Sequence, residues 1–168
     1  MAFFKNKYFL TFILFILLIL DGQISYFLNS ILGYHWHFTS HLFLLASILF
    51  AINTSSLFSF LIFAVFGFLF DSYYLGQLGI MVILLPMFAL LFSKITKPYV
   101  VHLFPSLFIF IISVFSLDML GYFFAVFYGM TNFSLGIYIM YSVAPTLILN
   151  LVFFSLFQKT FKKLFFLT

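Results

Sequence analysis

The sequence predicts an all-α integral membrane protein built as a six-helix transmembrane bundle, and three observations predict it. Of 168 residues, 66% are hydrophobic and 6% charged, and the mean hydropathy of +1.30 lies far outside the range of soluble domains. The apolar residues fall into six stretches with short polar connections. All seven basic residues are lysines, and they occur in three clusters that fall on one side of a six-helix count. Spans of about 20 residues would consume nearly the whole length, so residues 1–168 are expected to form a single transmembrane domain.

Lys5 and Lys7 precede an apolar run from Tyr8 to Leu20. No small-residue cleavage site follows, and the helical pattern continues through Ile24 to Leu28, so an uncleaved first span is expected. Asp21 ends the most apolar part in a polar patch with Gly22, Gln23 and Ser25, and internal pairing with other helices is its leading reading. The later spans are expected at Phe38 to Ile52, Leu57 to Phe70, Leu78 to Phe92, Tyr99 to Phe127 and Gly136 to Phe157. The second to fourth are short for a hydrocarbon core of about 30 Å and should draw on flanking residues such as Asn53 to Ser56.

The lysine clusters are Lys5 with Lys7, Lys94 with Lys97, and Lys159 with Lys162 and Lys163. An even number of spans with both termini cytoplasmic places all of them inside. The net charge of +4 then reads as anchoring near anionic lipid, with no nucleic-acid partner needed. Asp21, Asp71 and Asp118 are the only carboxylate side chains. Each falls toward the outer end of an odd-numbered helix, about 20 to 30 Å from its inner end, where the three can share a layer. Their separations of 50 and 47 residues hint at related helical hairpins.

The stretch Phe63 to Gly79, FAVFGFLFDSYYLGQLG, organises the chain. A carboxylate in an apolar helix costs roughly 2.5 to 3.5 kcal/mol near the bilayer centre. Asp71 is open to three roles: a cap for the restarting helix, a partner or internal contact, or a ligand contact. Gly67, four residues earlier on the same face, offers a neighbouring helix close approach, and Gly76 and Gly79 are expected to repeat that device at the start of the next helix. Pro86, Pro105 and Pro145 fall inside spans, where each kinks its helix and frees the carbonyl four residues earlier, on Val82, Val101 and Tyr141. Pro98 suits the first turn of the fifth helix.

Other chemistry is sparse. Without cysteine there is no disulfide, thiolate nucleophile or cysteine metal site, and without arginine a bidentate phosphate clamp is missing. His35, His37 and His41 match no standard zinc spacing and read as interfacial residues beside Trp36 and Tyr34. His102 is the one ionisable group of the inner half, too few for a proton relay. No phosphate loop, serine elbow or HExxH motif occurs. Neither an enzyme nor a cofactor is expected.

A first helix ending in an aspartate patch, then GFLFDSYYLGQLG with Pro86 in the next helix, six spans and basic inner ends together resemble the rod shape-determining protein MreD family. The resemblance covers the chain in layout, with Gly67 to Gly79 its specific part. It implies a non-enzymatic membrane component of the bacterial cell-elongation machinery, multi-pass in the plasma membrane. The implied partner is MreC, linking indirectly to RodA and a penicillin-binding protein that synthesise peptidoglycan. Gly67, Asp71, Gly76 and Gly79 match the motif, and Asp21 matches by location. The layout is also similar to the S components of energy-coupling factor vitamin transporters, the alternative reading. Those offer small residues on the first helix for docking, whereas Tyr8 to Leu20 holds no Ala or Gly, which favours the scaffold.

Overall fold

The computed structural model describes residues 7–32, 35–95 and 97–166, of Lys97 and Phe166 the backbone only. Lys5 and Tyr34 lie outside the described residues. All regular structure among them is helical: α1 Lys7–Leu32, α2 Leu42–Asn53, α3 Ser56–Phe70, α4 Met81–Ser93, α5 Lys97–Val101, α6 Leu103–Phe127, α7 Leu135–Tyr138 and α8 Ala144–Phe166. A π-helical turn, Asp71–Leu75, extends α3, and a second, Ile139–Val143, fuses α7 to α8.

Six apolar rods therefore appear close to where the hydropathy places them, but they are unequal: α3 extends to Leu75, whereas α2 starts at Leu42 rather than Phe38 and α4 at Met81 rather than Leu78, both shorter than expected. Four are long and apolar enough to cross a membrane: Lys7–Leu32, Ser56–Leu75, Leu103–Phe127 and Leu135–Phe165. The other two, α2 and α4, have 12 and 13 residues, or about 18 and 20 Å of rise, short of a core of about 30 Å.

The short helix α2 is the axis of the bundle. Every residue from Leu42 to Ala51 is buried, as expected of a helix that is apolar all round. It packs against α1, α3, α4, α6 and α8. Its Phe43 and Phe50 meet Phe63 and Phe66 of α3 in tilted and edge-to-face pairs. The long helices turn their other faces outward, leaving Phe12, Ile16, Phe68, Phe108, Ile112 and Ile148 exposed, which is the surface a lipid solvent requires.

Two lysines tie helix ends together. The Lys7 ammonium lies 4.7 Å from the Phe58 ring centroid at the start of α3, and Lys162 Nζ donates to the Val101 carbonyl at 2.8 Å. The latter bond uses the carbonyl freed by Pro105. Pro145 likewise frees the Tyr141 carbonyl, which accepts from His37 N at 2.8 Å. Pro105 itself stands in the first turn of α6, where the chain has already broken at His102, so the expected interior kink is a helix boundary. Pro86 lies inside α4, and Pro145 lies within the continuous Leu135–Phe165 helix just after its π-helical turn.

The seam expected at Gly67 is filled by this chain's own α4. A Cβ there would overlap the Met81 carbonyl oxygen and come within 2.6 Å of Val82 Cα, both backbone atoms that cannot swing aside. Gly67→Ala should therefore cost about 1 to 3 kcal/mol, read as a lower unfolding midpoint in detergent. Gly136→Ala, with nothing within 4 Å of its added carbon, should stay within about 0.5 kcal/mol of the parent.

Candidate functional site

A helix begins with backbone N–H groups that have no intrahelical acceptor. For α2 and α4 these lie inside the bundle, where each unpaired donor costs several kcal/mol. Both are satisfied by an aspartate from the preceding helix. Asp71, 0% exposed, accepts from the backbone of Gly79 at 2.9 Å, Ile80 at 3.1 Å, Met81 at 2.8 Å and Val82 at 3.1 Å. Its charge also faces the positive end of the α4 dipole.

Of the roles open to Asp71, the geometry is that of a cap, though one reaching across the hairpin, since the residue that flanks α4 is Ile80. Gly76 and Gly79 are not the helix-packing pair expected. They precede α4 in the connecting turn with φ of 63° and 120°, a region that side chains with a Cβ rarely adopt. The turn thereby aims its amides at the carboxylate.

Asp21 does the same for α2. Its carboxylate accepts from Leu42 N at 2.9 Å, Phe43 N at 2.7 Å and the Ser40 hydroxyl. It opens a ladder along one face of α1, with residues four apart. Ser25 Oγ accepts from Ser40 N at 2.8 Å, and the Asn29 side chain bonds both the N–H and the carbonyl of Phe38 at 2.7 and 3.1 Å. From the opposite side, α8 supplies Thr146 and Asn150, which hold His37, Thr39 and His41. From residue 37 to 42, even-numbered residues are thus held by α1 and odd-numbered ones by α8 and the turn that leads into it, while Phe43 N returns to Asp21 of α1. The alternation is that of an extended chain, whose successive peptide groups face opposite ways.

Asp118 departs from this plan. Its Oδ1 lies 3.0 Å from His41 Nε2, and because a carboxylate only accepts, the imidazole donates. Oδ2 is buried with no hydrogen-bond partner. The side chains of His41 and Asp118 are 9% and 10% exposed. His41 is therefore a buried residue joined to a carboxylate 77 positions away, a correction to the interfacial reading, whereas His35, Trp36 and His37 are exposed. His102 is exposed at the α5–α6 break.

Asp21, His41 and Asp118 stand on the wall of a cavity of about 440 Å³ between α1, α2, α4 and α6. Leu18, Phe70, Leu85, Leu117 and Ala125 make much of its lining apolar, and Tyr122, Tyr138 and Gly121 complete the wall beside Asp118. Asp71 is not in the lining but holds Ile80 and Met81, which are. The three aspartates therefore fall into two groups, Asp21 with Asp118 around the 37–43 segment, and Asp71 at the start of α4. Among the described residues no cluster of ligating side chains suits a metal ion.

The family model described as rod shape-determining protein MreD matches residues 3–167. Cell shape-determining protein MreD of Streptococcus pneumoniae (strain ATCC BAA-255 / R6) is 30% identical over 146 residues, covering 86% of this chain and 88% of that protein. No solved structure matches.

The two caps should be separable by hydrogen exchange. Asp71→Leu strands four amides, and at about 1 to 3 kcal/mol for an unsatisfied buried group exchange at Gly79 to Val82 should accelerate about a hundredfold. Asp21→Leu should instead accelerate exchange at Leu42 and Phe43 and leave Gly79 to Val82 protected.

Proposed function

Because the chain belongs to the MreD family of rod shape-determining proteins, we propose that it serves as a non-enzymatic, multi-pass scaffold in the bacterial plasma membrane. It binds MreC within the bilayer and positions it for peptidoglycan synthesis by RodA and a penicillin-binding protein. The observation that carries this reading is the extent of the match, residues 3–167 of 168.

The geometry supports a scaffold through stiffness. Both short helices are pinned by carboxylates, and the segment between α1 and α2 is held from two sides, so the aspartate end of the bundle is a fixed platform. Gly67 and Asp71 act inside this platform, and their effect on a partner runs through the shape of the α3–α4 hairpin. The first helix carries Phe12, Ile16 and Ile19 on one exposed face, and such bulk suits a partner helix that packs by interdigitating side chains. Both termini and the lysine clusters lie on the cytoplasmic side in this arrangement, and the aspartates toward the outer side.

Purification in mild detergent from the host's own membranes should bring MreC and wall synthases with the tagged protein, as read by mass spectrometry. Recovery of a transporter coupling subunit with ATPases would overturn the scaffold in favour of an S component. For topology, a cysteine introduced at Asn132 should react with an impermeant reagent only from outside. Reaction only from the cytoplasm would invert the proposed orientation.

A further inference from the structure

The cavity wall holds one carboxylate more than the fold uses. Asp21 and Asp71 are each surrounded by donors that build the bundle. Asp118 caps no helix, takes a single bond from His41, and leaves Oδ2 without a partner. A carboxylate has room for about four donors, and an incompletely paired one is costly in so apolar a place.

Three features say what would complete it. The lining includes no lysine, so its ionisable groups are carboxylates, histidines and tyrosines. Tyr122 and Tyr138 stack with ring centroids 4.5 Å apart on the wall beside Asp118, and Tyr138 Oη donates to the Asp118 carbonyl at 3.2 Å. An anion flanked by aromatic rings favours an ammonium group. The volume of about 440 Å³ falls in the range of small-molecule sites, and its apolar lining suits an alkyl body.

We propose that this cavity binds a small cationic amphiphile, an alkyl ammonium compound whose head group pairs with Asp118 beside the stacked Tyr122 and Tyr138 rings while its chain lies against Leu85 and Leu117. The site is independent of how the outer faces meet a partner.

A diazirine-bearing octylamine, applied to the full chain in phosphatidylcholine nanodiscs and mapped by peptide mass spectrometry, tests this. Labelling of cavity residues such as Met130 and Phe133 should saturate, and octylamine should compete at least about tenfold better than octanol or octanoate. Asp118→Asn, which keeps an acceptor for His41, should weaken labelling about tenfold or more. Gly121→Leu should abolish it by filling the space, since an added Cβ there meets only Met81 Cε at 3.9 Å. Labelling that rises linearly with probe, yields equally to octanoate or octanol, or survives both substitutions would overturn the assignment. If Asp118→Asn fails to fold, Gly121→Leu and the competition series decide it.

Discussion

The structure depends on pairing backbone N–H groups where water cannot reach them. Two of its six rods are too short to cross a hydrocarbon core, so their N-termini and the segments leading into them must lie inside protein. Irregular backbone at that depth is tolerated only when protein groups satisfy it. Asp71 meets this demand for α4 with four bonds, and Asp21, with Ser25 and Asn29 behind it and Thr146 and Asn150 opposite, meets it for α2. A buried carboxylate without a lysine or arginine beside it would ordinarily be prohibitive. Here aligned peptide dipoles supply the compensating charge, which is why a chain with so few cations keeps acids in its interior.

The even spacing of the aspartates corresponds to a repeated device in two of three cases. In each of the first two hairpins a long helix carries an aspartate that caps the short helix after it. The third hairpin breaks the pattern. α7 is capped by the preceding Ser134, whose own hydroxyl accepts from Ile137 N at 3.4 Å, so Asp118 is released from capping and turns to His41.

Much of this was legible in the residues. Hydropathy placed six apolar rods, and the Asp-Gly-Gly pattern of Phe63 to Gly79 marked the turn into α4. The proline argument worked through its carbonyls, since the groups freed on Val101 and Tyr141 both take new donors. What sequence reasoning missed was long-range. His41 gains its meaning from Asp118, and Thr39 from Asn150, contacts that local spacing does not encode. Asn29 was available to be found, because Asp21, Ser25 and Asn29 recur every fourth residue in an otherwise apolar helix. The glycines misled for a related reason: three-residue spacing suggests a helical face, yet Gly76 and Gly79 are needed for positive φ in a turn. Gly67 did mark a close approach, but to α4 of this chain.

Helix length and buried polar groups are thus one problem with one solution. A full-length α2 would end near an aqueous surface and need no carboxylate. Shortening it puts its N-terminus within the bundle and makes Asp21 obligatory, while freeing the residues before it to run between α1 and α8 and fasten the two. Those fastenings hold register more strictly than apolar packing does, since a shift of one residue would exchange the sides on which the alternating N–H groups of residues 37–42 find their acceptors. The proposed role, presenting fixed helix faces to a partner within lipid where apolar burial supplies little specificity, would draw that precision from polar groups turned inward.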